Sequence, residues 1–265
     1  MLSNITIGQY YPGSSPVHKL DPRTKILITV LYIVMLFAAA EVIGLLPGII
    51  FFILSYIISG VPLKMIFRSL KPIIPLIVFT AVLNLFFVGN DVIFEFWIIK
   101  ITGEGLRFSI FMIVRIIALI AGTSLLTYTT TPIMLTDGLE SLLSPLKKLK
   151  FPVHELSMMM TIALRFIPTL IEETSKIMSA QKARGADLES GGLLKRAKAL
   201  IPILIPLFVS AFRRAEELAL AMESRCYHGG EGRTRLRELH FKLRDIISLL
   251  ITALFLASVF VLNSL

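Results

Sequence analysis

Residues 246–262 read IISLLITALFLASVFVL, with no charged side chain anywhere in the run. An apolar stretch approaching about 20 residues covers the roughly 30 Å of hydrocarbon in a bilayer, so this one predicts a membrane-spanning helix. Upstream, similar runs occupy Ile26–Ala40, Val42–Ser59, Ile73–Val88 and Leu106–Tyr128. Glu41 and the Gly44–Pro47 stretch separate the first two and predict a tight outer turn. The expected fold is an all-α polytopic membrane protein with about five transmembrane helices. Composition agrees: 55% of the 265 residues are hydrophobic even before the 16 glycines are counted, and only 17% are charged. Globular chains carry about 25% charge, so a soluble protein is excluded.

Charge placement sets the topology. Lys19, Arg23 and Lys25 precede the first run, and Lys64, Arg68 and Lys71 lie between the second and third, which assigns both sites to the cytoplasm. Asp91, Glu95 and Glu104 then fall outside, as does the C-terminus after an odd number of crossings. No signal-peptide pattern opens the sequence, because the polar run Gly8–Lys25 comes before the first apolar segment, and export is not expected. Asp21 followed by Pro22 reads as an N-cap with proline at the first helical position, starting a helix at the membrane edge. The expected organisation is a four-helix membrane region over residues 1–130, a cytoplasmic or interfacial region over 131–245, and a last transmembrane helix over 246–265.

The region between the fourth and fifth runs is too charged to span a bilayer and too apolar to be a linker. Residues 145–245 hold 18 basic and 11 acidic side chains, +7 of the net +9. Anionic lipid at the cytoplasmic face explains this excess. Nucleic acid does not, since no aromatic-interleaved basic motif occurs. Three helical segments stand out: Ile133–Leu149, His154–Arg184 and Leu194–Arg225. The latter two would each be roughly 45–50 Å long if helical throughout, with Pro168, Pro202 and Pro206 expected to bend or break them. Leu170, Ile171, Ile177 and Met178 mark one apolar face; Phe208, Phe212, Ala215, Ala219 and Met222 mark another, with Arg213, Arg214, Glu216 and Glu217 elsewhere. Each helix is expected to bury one side only.

The two long segments end alike, in Ala183-Arg184-Gly185 and Ser224-Arg225-Cys226, an offset of 41 positions that also aligns Ala180 with Ala221. For either end alone, arginine in the last turn and glycine in a left-handed cap are sufficient structural reasons. Their recurrence points to docking of two similar partners, such as the halves of a dimeric motor. A guanidinium offers a rigid fork of donors and holds its charge when desolvated, which suits carboxylate or carbonyl acceptors on a partner.

Catalytic and metal motifs fail. His154-Glu155 begins like a zinc-protease helix, but Met158 stands where its second histidine belongs. His18, His228 and His240 have no ligand spacing, no phosphate-binding glycine loop occurs, and the single cysteine, Cys226, excludes paired thiolates. No catalytic residue, metal site or cofactor is expected.

These residues resemble the transmembrane T component of energy-coupling factor (ECF) transporters, the EcfT family. The likeness covers nearly the whole chain: Leu20-Asp21-Pro22-Arg23-Thr24-Lys25, Pro145-Leu146-Lys147-Lys148, Ala163-Leu164-Arg165-Phe166-Ile167-Pro168, both arginine motifs, and Arg233-Thr234-Arg235 with Arg237-Glu238-Leu239. The resemblance implies a non-catalytic scaffold in the cell membrane. It would join two cytoplasmic ABC-type ATPases, identical or not, to a membrane-embedded S component that binds a vitamin or other micronutrient. In the family the arginine of each motif enters a groove on one ATPase. Carried over, the coupling residues are Ala183, Arg184, Gly185, Ser224, Arg225 and Cys226. Serine and cysteine around Arg225 depart from the family's commonest Ala-Arg-Gly.

Met158, Met159 and Met160 are compatible with plain apolar packing; under the resemblance they form a flexible surface for interchangeable S components. Arg115, near the middle of the fourth run, needs compensation. Glu172 or Glu173, snorkelling, or backbone carbonyls could each supply it. Asn84 is expected to hydrogen-bond between helices. The competing readings are a conventional ABC importer permease, which calls for polar lining across several spans, and an intramembrane lipid enzyme, which calls for carboxylate or histidine clusters.

Overall fold

The computed structural model describes residues 10–88, 92–96, 99–186, 192–229 and 239–264. The described chain is helical apart from one small antiparallel hairpin, and it divides into two compact units. One unit holds residues 8–142 with 238–265, the other residues 143–237.

The first unit begins with α1 (Pro22–Ala38), α2 (Leu46–Ser59, led in by a 3-10 turn over Ile43–Leu45), α3 (Leu63–Leu70) and α4 (Ile74–Phe87). Strands β1 (Val92–Phe96) and β2 (Ile99–Thr102) form the hairpin, followed by α5 (Gly103–Thr129) and α6 (Pro132–Leu143). After the second unit the chain returns as α9 (Leu243–Asn263). Three helical stretches are long and apolar enough to cross a membrane: Leu63–Phe86, Gly103–Thr129 and Leu243–Asn263. Residues Ile43–Ser59 form a shorter apolar helix, and α1, at 17 residues, is about 25 Å long.

The third run starts earlier than Ile73. Gly60 at φ 67° closes α2 in the left-handed conformation, and helix resumes one residue after Pro62, passing through a 3-10 turn at Lys71–Ile73. Pro72 is tolerated there because a proline in the first turn of a helix gives up no bond that the turn needs. Lys64, Arg68 and Lys71 therefore ride on a helical stretch and not in a loop. The hairpin, at positions read from sequence only as an outer loop, pairs Glu95 with Lys100 and Phe96 with Ile99.

Helix α1 is central, packed between α5 and α9, while α2 also lies on α5 and α9 and α4 lies along α5. The core is Tyr32, Met35 and Leu36 of α1 with Leu45, Phe111, Ala118 and Val259, all nearly inaccessible. Gly122 lets α1 and α5 approach closely: a Cβ at that position would run into the Tyr32 ring, and the Tyr32 hydroxyl donates to the Ala118 carbonyl at 2.9 Å. Gly138 of α6 meets Pro22 and Ile26 in the same way, so α6 joins this unit. The outward faces, including Phe37, Ile57, Phe79, Leu250 and Leu254, stay exposed. So much contiguous apolar surface is unsustainable in water and natural in lipid.

The start of α1 is a polar knot. Asp21 caps it by accepting from the Arg23 amide at 2.9 Å, and the Asp21 amide donates to Asp245 at 2.8 Å, tying α1 to the start of α9. Lys25, buried, donates to the carbonyls of His18 (3.0 Å) and Thr129 (2.8 Å) and to the Thr130 hydroxyl (3.2 Å). Arg23 donates to the Leu239 carbonyl and stacks over Phe241. The Leu20–Lys25 motif is thus a clamp holding the ends of α1, α5 and α9. Buried polar groups need such saturation, because an unmade bond costs more than a made one gains.

At the other end of α1, Arg115 donates to the Ala39 carbonyl, with its guanidinium 4.2 Å from the centre of the Phe111 ring and 5.7 Å from that of Phe37. Of the three compensations open in sequence, the backbone carbonyl is the one in place. Among the described residues no hydrogen bond is formed by the Asn84 side chain.

The second unit is built on α7 (Val153–Ala183) and α8 (Leu193–Glu223), each 31 residues and uninterrupted. Pro168, Pro202 and Pro206 lie inside them without splitting either into two pieces. A proline forfeits one ladder bond and crowds the preceding turn; the remaining bonds of so long a helix carry the chain through.

Candidate functional site

Helices α7 and α8 run antiparallel. Glu173 accepts from the Ser210 hydroxyl and lies 3.2 Å from the Arg214 guanidinium, while farther along α7 Gln181 meets Pro202, earlier in α8. Ser210 and Arg214 are four residues apart and therefore share a face. The seam is accordingly polar where α8 faces Glu173. Glu173, one candidate partner for Arg115, is spoken for within this pair.

This polar seam leaves the apolar stripe of α8 uncovered: Phe208 is 60% and Phe212 72% exposed, and Ala215 and Ala219 are open as well. Met159 and Met160, early in α7, are also exposed, and Met158 is half-buried. The expectation that each helix buries its apolar side holds for α7, where Leu170, Ile171, Ile177 and Met178 are half-buried, but not for α8. Contact through Ser210 and Arg214 turns the α8 stripe away from α7.

The two arginine motifs end their helices with one shared geometry. Ala183 is the last residue of α7 and Arg184 its cap; the Gly185 amide donates to the Lys182 carbonyl at 3.0 Å and the Ala186 amide to the Gln181 carbonyl at 3.0 Å. In α8, Ser224 is the cap and Arg225 follows; the Cys226 amide donates to the Glu223 carbonyl at 2.9 Å and the Tyr227 amide to the Met222 carbonyl at 3.1 Å. These are the same pair of bonds displaced by 41 positions, the Schellman closure in which a left-handed residue turns the chain back over the last turn. Gly185 has φ 84° and Cys226 φ 56°. Sequence comparison of the two ends aligned the arginines; that Cys226 takes up the glycine's conformation becomes visible only in the backbone.

All six motif residues, Ala183, Arg184, Gly185, Ser224, Arg225 and Cys226, are exposed. Among the described residues no side-chain partner is seen for Arg184 or Arg225. The closure places each arginine immediately before the reversal, at the tip of its helix. Because α7 and α8 are antiparallel, the tips leave the pair at opposite ends. The 23 positions from Pro202, beside Gln181, to Arg225 correspond to roughly 35 Å along the axis. The two cationic tips thus share one closure and present exposed guanidinium donors with no side-chain partner among the described residues. Arg233, Arg235 and Arg237 of the basic approach to α9 lie outside the described residues. Among the described residues no group of three histidine, cysteine or acidic side chains is arranged for a metal ion.

Residues 13–236 match a family described as cobalt transport protein. Curated relatives extend over almost the full length. One from Thermosediminibacter oceani is 55% identical over 253 residues, covering 96% of each chain, and one from Clostridium kluyveri is 56% identical over 94% of this chain and 93% of its own. A third, from Lactococcus lactis subsp. cremoris, is 45% identical over 97% of both. All three are named energy-coupling factor transporter transmembrane protein EcfT. With a membrane-embedded helical unit, twin arginine-tipped helices and this degree of identity, the chain belongs to the family of energy-coupling factor transporter transmembrane proteins.

Proposed function

We propose that this chain is the scaffold through which two cytoplasmic ABC-type ATPases drive uptake of a vitamin or other micronutrient bound by a separate S component. The observation that carries the reading is the duplicated helix end: two arginines, each at the tip of a Schellman-closed helix, exposed and without a partner among the described residues. A dimeric motor offers two equivalent grooves, and two equivalent tips tens of ångströms apart are the matching shape. Each guanidinium forks onto carboxylates or carbonyls in its groove. Closure of the ATPases on ATP moves the grooves, and helices held together by Glu173, Ser210 and Arg214 move with them. The chain itself is non-catalytic in this scheme.

The surface formed by half-buried Met158 with exposed Met159 and Met160, together with the open stripe of α8, is where the S component rests. Flexible methionines accept different partners. The N-terminus and the arginine tips are cytoplasmic, in keeping with the basic excess there. The micronutrient is chosen by the S component.

The test is recovery of the ATPases with the tagged full chain, and transport in vesicles, for wild type and for Arg184→Ala with Arg225→Ala combined. Truncating a charged anchor at an interface costs about 2–5 kcal/mol, so co-recovery and uptake should both collapse. Unchanged recovery and uptake would remove the assignment.

A further inference from the structure

We infer that the first unit holds an anionic phospholipid, its acyl chain in a slot walled by α1, α2, α5 and α9 and its headgroup on Arg244. The inference rests on the membrane placement of the family and not on the coupling scheme. A cavity of about 410 Å³ lies among these four helices. Its floor is buried, formed by Tyr32 and Thr252, and its rim is exposed, formed by Leu54 and Ile58 of α2 and Ile247 and Ile251 of α9. The edge contact of Phe51 with Phe255, ring centres 5.5 Å apart, lies at the far end of the slot; Lys25 and Arg244 line the near end.

Three properties define the occupant. First, the walls are apolar in effect as well as in composition. The hydroxyls of Thr29, Thr129, Ser248 and Thr252 each donate to a carbonyl of their own helix three or four residues back, at 2.8–2.9 Å, and the Tyr32 hydroxyl is held by Ala118. A polar metabolite would find few donors to bind it. Second, if a methylene displaces about what a water molecule does, roughly 30 Å³, the volume accommodates on the order of 14 of them, a single lipid chain.

Third, the near end is cationic and only half neutralised. Lys25 is saturated by its three oxygen acceptors, and both oxygens of Asp245 are occupied by the amides of Asp21 and Lys242, at 2.8 Å each. Arg244 has no ion pair among the described residues, and its Nε is shielded from solvent without a hydrogen bond. An unspent guanidinium at the mouth of a chain-sized apolar slot complements a phosphate ester on an acyl tail.

The experiment uses the full chain in vesicles of phosphatidylcholine containing spin-labelled phosphatidylglycerol or, in parallel, spin-labelled phosphatidylcholine, and measures the motionally restricted fraction. The anionic probe should be retained about fivefold over the neutral one, the selectivity one arginine confers near a membrane surface. Arg244→Gln should abolish that preference and Arg244→Lys should keep part of it. Thr252→Phe, which fills the slot, should remove the excess retention of the anionic probe and leave only the lipid held by the outer faces, equal for both probes, and Ile251→Trp at the rim serves if Thr252→Phe does not fold. Equal retention of the two lipids by the wild type overturns the inference, as does a preference that survives Arg244→Gln.

Discussion

The side-chain amide of Gln181 donates to the backbone carbonyl of Pro202 at 3.3 Å. That carbonyl is available for a covalent reason. In an unbroken helix it would accept from the amide of residue 206, and residue 206 is proline, which has none. The helix carries on through Pro206 while α7 supplies the missing donor. Gln181→Leu should therefore lower thermal stability by about 1 kcal/mol, the worth of one hydrogen bond whose acceptor is then abandoned. Pro206→Ala returns an amide to the ladder and should make Gln181→Leu nearly neutral. Unfolding of the two single variants and the double variant in detergent measures this coupling; strictly additive losses would contradict it.

Cys226 carries the opposite kind of tension. At φ 56° it occupies the conformation that Gly185 occupies in α7, and for a residue with a Cβ the left-handed region costs about 1–2 kcal/mol. A Cβ on Gly185 would meet nothing within 4 Å, so the penalty there is purely one of the backbone. Cys226→Gly should firm the end of α8 by about 1 kcal/mol, and Gly185→Ala should loosen the end of α7 by a similar amount. Hydrogen exchange at the amides that close the two turns, those of Tyr227 and Ala186, reads both effects. Exchange that is unmoved in both variants would rule out the strain.

How far these features could be foreseen depends on the length scale of their cause. The apolar runs of α5 and α9 show in sequence because hydrophobicity alone decides them, and the arginine tips show because an arginine between two small residues recurs at an offset of 41. The hairpin of Val92–Phe96 with Ile99–Thr102 does not, since a few alternating β-branched and aromatic residues between two apolar helices resemble any loop. The early start at Leu63 is hidden by Lys64, Arg68 and Lys71, which look like a loop until Gly60 is seen to end one helix just ahead of the next. The exposure of Phe208 and Phe212 was not foreseeable from periodicity. A helical wheel identifies an apolar face without saying that Ser210 and Arg214 will be the face turned to α7.

Arg115 shows how a charge inside an apolar helix is accommodated. Helix α1 ends at Ala38, and the last carbonyls of a helix have no amide ahead of them. The Asn263 side chain of α9 donates to Ala38 at 2.6 Å, and Arg115 of α5 donates to Ala39 while lying over the Phe111 ring. Two neighbouring helices thereby cap a third. Arg115→Met keeps the length and apolar reach of the side chain but removes its donor, and should cost about 1–3 kcal/mol through the orphaned carbonyl. Arg115→Lys retains one donor and a weaker ring contact, and should recover part of the loss. The measurement is thermal unfolding of each variant alongside uptake by the assembled transporter. If the role is capping, uptake per folded molecule stays constant while stability falls; a variant that remains fully stable yet fails to transport would place Arg115 in the transport cycle instead.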